Sequence, residues 1–468
     1  MTGASTAALP GNSAADRANA ARGELRYWAF LAIGALGVAG LFALLLATSR
    51  IPGAEKVVAW PAGFFAKGLI IHVIFSLMVW FLGVFALLAS MATYDLSTGA
   101  PRLASLGRAG IAFFGMAFPL LFIPAFRQDS IASLNNYVPV VIDPAYYIGL
   151  VALGLGVLLP VVRLLANFPG RLSRLPPLPL AMTVGGVIYI AALACFAAAF
   201  ARSWGEAPTK AFNEQLFWGG GHALQFLFCL LMLTGWFKLA RASLGEKVID
   251  PDIFRLAVLL VMVFALPAPF FYVVFKPFSA LQIEAFRRLQ FVLGFPALMI
   301  AVGTLTGILA ARHQGPLPWR TTAFTALTLS ALVFGVGGLM GFLVTGTDTR
   351  TPAHYHGVIA GVNLACMGLF LVTCLPRLAP VAKAVSTARV HLMLFGFGQL
   401  AACLGLFWAG GYGAPRKVPS GSVALVDNAA IGMALHGIGA LVAIAGGVVF
   451  VIAVLRALLR QPEGAAAH

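Results

Sequence analysis

The sequence predicts an all-α, polytopic membrane protein built as a bundle of twelve transmembrane helices. Three observations carry this. Of the 468 residues, 60% are hydrophobic and 10% charged, with a mean hydropathy of +0.94, which is outside the range of soluble domains. Apolar runs of about 20 residues recur along the whole chain, each long enough for a helix to cross ~30 Å of hydrocarbon. Backbone in lipid must satisfy its own hydrogen bonds, and runs of this length do so as helices.

In chain order the runs fall at about 27–49, 69–92, 107–126, 146–167, 180–201, 212–239, 255–275, 289–311, 322–345, 353–375, 389–410 and 428–456. Residues 1–24 are polar and rich in Ala, Gly and Ser. They are expected to form a disordered cytoplasmic tail without a cleavable signal peptide. Residues 25–460 make one twelve-helix domain, and 461–468 a short C-terminal tail. Lys and Arg concentrate in the loops on the side of the first terminus, so the positive-inside rule puts both termini in the cytoplasm of a bacterial-type inner membrane. The net charge of +16 is then a topology signal: membrane lipid is an expected partner and nucleic acid is not. The five cysteines lie inside runs without CxxC spacing and read as packing residues. The glycine clusters GGGHAL and GVGGLMG follow no strand, so they pack helices and do not cradle phosphate.

Histidine placement points to chemistry. With this topology every even-numbered span enters from the outer face. His72 lies near the start of the second, His222 in the outer half of the sixth, and His354 and His356 open the tenth. All four share one depth, although His72, His222 and the tenth-span pair are distant from one another in sequence. Ionisable groups in lipid are costly and mark functional sites by default. His354 and His356 are two residues apart, about 200° around a helix, so they face opposite ways. They cannot readily share one metal ion, but each can ligate a planar cofactor on its own side of the helix, and neutral imidazole is a common axial ligand of haem iron. His72 is the candidate to close one such haem from the far side. His436, in the twelfth span at similar depth among small residues, is either a packing residue or a cofactor contact. His391 and His313 lie towards the inner side.

The chain resembles the catalytic subunit of the haem–copper oxidase superfamily, which includes cytochrome c oxidases, quinol oxidases and nitric oxide reductases. The carriers are the early His72, the Trp-x-x-Gly-His start of the sixth span (Trp218 to His222), the HxH of the tenth, and GGYGAPRK at 410–417. The resemblance implies two haems, His354 holding a high-spin one and His72 with His356 a low-spin one. It also implies that Arg416 and Lys417 lie near haem propionates at the outer surface.

The departures matter equally. The family's copper, or non-haem iron, takes one histidine from the sixth span and an adjacent pair from the seventh. His222 is present, but the seventh span reads LPAPFFYVVFKPF, with Phe270, Phe271 and Tyr272 where a His-His-Tyr would fit, so copper is not expected. A family tyrosine four residues after the copper histidine is replaced by Phe226. Tyr272 reads as a redox or hydrogen-bonding substitute, or as an interfacial aromatic anchor. Glu214, Glu284 and Asp348 lie at span ends, and no inner proton path is legible, so proton pumping is not expected.

The expected activity is that of an oxidoreductase. Electrons from a cytochrome c-type or other membrane subunit reach the low-spin haem and pass to the His354 haem, which binds and reduces a diatomic gas, with His222 as a distal hydrogen-bond donor or remnant copper ligand and Tyr272 nearby. Two alternatives stand beside it: a non-catalytic haem-binding paralogue acting as gas sensor or electron relay, and a transporter.

Overall fold

The computed structural model describes residues 14–49, 63–344, 346–379, 387–416 and 426–460. Twelve helical spans cross the bundle: Asn19–Thr48, Phe64–Leu96, Ala104–Phe126, Pro144–Ala166, Pro177–Arg202, Lys210–Leu244, Pro251–Val274, Ala280–Gln314, Thr322–Gly341, Arg350–Leu378, Ala388–Gly411 and Asp427–Leu459. The all-α, twelve-span architecture stands as the hydropathy predicts. The second, sixth and tenth spans, which carry the clustered histidines, are also the most deeply buried.

Three local features depart from the sequence reading. The first helix begins at Ala14, so residues 14–24 are helical rather than tail, while 1–13 and 461–468 lie outside the described residues. The eighth span starts earlier than expected and is broken, a helix over Ala280–Phe291 preceding one over Gly294–Gln314. Between the third and fourth spans, strands β1 (Ile131–Ser133) and β2 (Val140–Ile142) pair antiparallel as a small hairpin. Asp143, after β2, caps the fourth span by accepting a hydrogen bond from Ala145 N at 2.8 Å.

Glu24, within the extended first helix, is anchored by a buried ion pair. Arg163 of the fourth span is fully buried, where an unpaired guanidinium would be prohibitively costly. Glu24 supplies the counter-charge with both oxygens, at 2.8 Å from Nη1 and 2.5 Å from Nη2. Ser90 Oγ lies 3.1 Å from Nη2, and the Tyr94 hydroxyl donates to Glu24 at 2.7 Å. A Cβ at Gly107 of the third span would collide with this guanidinium. Four spans are thereby locked at one end of the bundle.

Glu24→Ala leaves Arg163 charged and unpaired and is expected to cost about 3–5 kcal/mol, read as a lower unfolding midpoint in detergent. Arg288→Ala, which removes an exposed pair with Glu284, should leave the midpoint unchanged.

Candidate functional site

The site lies at the hairpin end of the bundle. His72 is the penultimate residue of the regular α-helix Phe64–Val73, and the chain then continues as a π-helical stretch, Ile74–Val79. Such stretches widen the helix and recur at functional sites. His72 Nδ1 stands 2.9 Å from the Ala39 carbonyl of the first span. A carbonyl only accepts, so Nδ1 carries the proton and the lone pair is on Nε2.

His354 and His356 do part company across the tenth helix. His354 Nδ1 is 2.7 Å from the Gly337 carbonyl of the ninth span, which again assigns its lone pair to Nε2. Gly337 and Gly357 permit this closeness: a Cβ on either would fall on the other helix's backbone. His356 instead lines a cavity on the other side, together with His72. The ring of His436 stands 5.9 Å from that of His356, with Nδ1 3.2 Å from the Ala402 carbonyl.

The cavity has a volume of about 640 Å³, within the range of small-molecule and cofactor sites. The first, second, tenth, eleventh and twelfth spans wall it, mostly with aliphatic side chains, and Asn363 and Gln399 contribute polar groups. Asn363 Oδ1 accepts from Trp80 Nε1 at 2.6 Å. Gln399 Oε1 is buried without a hydrogen-bond partner, an acceptor that only a donating group would satisfy. Two imidazoles from different spans and an apolar wall fit a haem.

His222 has a different environment. Its Nδ1 lies 2.7 Å from the Trp218 carbonyl one helical turn back, so its lone pair is on Nε2. That Nε2 is 2.8 Å from the hydroxyl of Tyr137, which donates to it. Tyr137 stands in the β1–β2 loop with φ of 63°, the left-handed region that costs a bulky residue of order 1–3 kcal/mol. Burial, then the neighbouring Tyr355, push its phenol above the ordinary range, keeping it a proton donor. Trp218, Tyr137 and Phe286 surround the His222 ring at centroid distances of 4.8, 4.3 and 5.3 Å. Gly221 makes room: a Cβ there would meet the Cβ of Tyr137.

The remaining expected site residues separate. Tyr272 is buried against Gly219, but its ring is 5.9 Å from Phe286, which stands between it and His222. Phe271 packs on the same Phe286 at 5.1 Å, whereas Phe270 is 66% exposed and faces away. Arg416 lies close to Tyr355, a residue of the cavity wall. Lys417 lies outside the described residues. Asp348 pairs with Arg350 at 2.7 Å and accepts from its backbone N–H. Glu214 binds the hairpin through Asn136. Sequence reasoning missed Tyr137, Gln290 and Gln399. The Gly219–Gly221 triplet was the available hint, marking where large side chains press onto the sixth helix.

Comparison with known proteins bears directly on this arrangement. The family described as cytochrome c and quinol oxidase polypeptide I matches residues 25–454. The chain belongs to that family. Its members bind haems, are generally oxidoreductases and work with other membrane subunits and electron donors. An uncharacterized protein of Rickettsia prowazekii is 24% identical over 91% of this chain and 94% of its own length. An uncharacterized protein of Aquifex aeolicus is 29% identical over 73% of this chain and 82% of its own. Cytochrome c oxidase subunit 1 of Thermus thermophilus is 26% identical, over 53% of this chain and 49% of its own. In fold the chain is similar to a heme-copper terminal oxidase dimer solved by cryo-electron microscopy, with a TM-score of 0.74, 16% identity, and coverage of 96% of this chain and 85% of that one.

Gly221→Ala drives a methyl group into Tyr137 and is expected to destabilise by about 1–3 kcal/mol in thermal unfolding. Gly338→Ala, where the added methyl group meets open space, should be neutral or slightly stabilising.

Proposed function

We propose that the protein is a membrane haem oxidoreductase, with one low-spin haem between His72 and His356 and a second, high-spin haem on His354. Haems held by these histidines would supply one-electron transfer from a cytochrome c-type or other membrane subunit and a site where oxygen or nitric oxide could be bound and reduced. The observation that carries the reading is the cavity walled by His72 and His356, with His354 turned to the opposite side of the same helix.

The chain's own residues have definable parts. Ala39 and Gly337 hold the Nδ1 protons of His72 and His354, which orients each ring and raises the basicity of Nε2. Gln399 offers an acceptor to a donating substituent at the cofactor edge. Arg416, beside Tyr355, and Lys417 are assigned to the propionates. His222, the sixth-span candidate to face the bound gas, would act through its Tyr137 partner, since both of its ring nitrogens are already hydrogen-bonded. Tyr272 has less support for that part, because Phe286 intervenes.

Copper is not assigned. The donor set is one imidazole already hydrogen-bonded to a phenol, and among the described residues no group of three His, Cys, Asp or Glu side chains could hold a metal ion. Phenylalanines in the seventh span contribute no lone pairs. The basic bias of the loops supports an inner-membrane protein with both termini cytoplasmic. Family membership gives no support to a transporter.

A second reading has its own observation. Tyr137 seated on His222 favours a non-catalytic haem protein that relays electrons or senses gas. Consumption of oxygen or nitric oxide by the purified, haem-loaded protein with an artificial donor separates the two. Catalysis predicts steady consumption that His354→Ala lowers by at least ~100-fold, the scale of losing a principal catalytic group. Intact haem without consumption of either gas would leave the relay reading.

A further inference from the structure

The hairpin between the third and fourth spans is built around one side chain that haem binding does not require. Asn136 is clamped by Glu214 of the sixth span, which accepts from its backbone N–H at 2.9 Å and from its side-chain amide. Asn135 braces the same turn, accepting from Ser133 at 3.0 Å and donating to the Val138 carbonyl at 2.5 Å. Between these anchors Tyr137 adopts its left-handed backbone and reaches His222. Gln290 of the eighth span points its amide at the Tyr137 oxygen, 3.4 Å away, and is itself held by Gln225.

Each of these features converges on the Tyr137 oxygen. An unfavourable backbone conformation persists only where its surroundings over-determine it, and here the hairpin and the sixth and eighth spans do so. The hydroxyl lands on the single imidazole nitrogen of His222 that could coordinate a metal. Tyr137 also forms part of the wall of the His72–His356 cavity, so it stands between that cavity and His222.

We propose that Tyr137 takes the place of a metal at His222, as a positioning residue that occupies the Nε2 lone pair and holds the ring neutral with its proton on Nδ1. The inference deepens the proposed function, on which it rests for the location of the reaction. With Nδ1 held by the Trp218 carbonyl and Nε2 by Tyr137, both ring nitrogens of His222 are committed within the protein. Phenol and amide groups are weak ligands for soft or borderline divalent ions compared with imidazole, so Gln225, Gln290 and Tyr137 complete a hydrogen-bonded cluster and not a coordination sphere.

The test is nitrogen NMR of the full-length protein in lipid, labelled with [15N]histidine, the His222 signals being assigned by their loss in His222→Gln. The wild type is expected to show a protonated Nδ1 and a hydrogen-bonded, unprotonated Nε2. Equimolar Zn2+ should move neither resonance. Tyr137→Phe should shift Nε2 to the position of a free lone pair and leave Nδ1 in place. If Tyr137→Phe does not accumulate, Glu214→Ala, which keeps both rings and releases the clamp, should shift or broaden the same Nε2 signal. An Nε2 resonance indifferent to these variants, or a wild-type Nε2 that moves as one Zn2+ per chain is retained, would overturn the proposal. Haem absorbance of the same samples reports separately on the proposed function: haem-free protein with the expected nitrogen signals would refute the haem assignment and leave the Tyr137–His222 pair standing.

Discussion

An imidazole placed in an apolar bundle must hand its N–H to a carbonyl, and the arrangement of this site follows from how that need is met. His72, His222, His354 and His436 each direct Nδ1 at a backbone carbonyl, at 2.9, 2.7, 2.7 and 3.2 Å. For His72, His354 and His436 the carbonyl belongs to another span, so the bond also ties two helices together. A buried N–H without an acceptor costs about 1–3 kcal/mol, enough to fix each ring's orientation against rotation. The same bond assigns the lone pair to Nε2, the atom that faces away from the anchoring helix. Ligand geometry and helix packing are therefore set by one set of contacts.

Small residues make these contacts reachable. A carbonyl of the ninth span approaches His354 because Gly337 and Gly357 bring the two backbones together. On the sixth span the opposite use prevails. There Gly219 and Gly221 admit the bulky rings of Tyr272 and Tyr137 against the helix. One type of residue thus serves close helix packing in one place and the seating of an aromatic side chain in another. At the other end of the bundle, Glu24 and Arg163 hold the first four spans together without contributing to the site.

Much of this was legible in the sequence, for reasons that are physical. Long apolar runs define the spans because hydrocarbon thickness demands them. Polar groups inside those runs stand out because lipid penalises them, which singled out His72, His222, His354 and His356. The opposed directions of the tenth-span pair followed from helical geometry. What escaped depended on contacts between distant segments. Tyr137 is 85 residues from His222, in a stretch, LNNYVPVV, that looks like any polar loop. Arg163 and Glu24 are 139 residues apart, and nothing near Glu24 announces that it will be buried. Tyr272 attracted notice by its place beside the missing histidines, yet Phe286 fills the space between it and His222.

The central claim is that His72 and His356 clamp one haem. Electron paramagnetic resonance of the oxidised, purified protein tests it most directly. The account predicts a low-spin ferric signal characteristic of two axial imidazoles, lost in both His72→Ala and His356→Ala and retained in His354→Ala. A wild-type protein without a low-spin signal, or one whose signal survives loss of either His72 or His356, would contradict it.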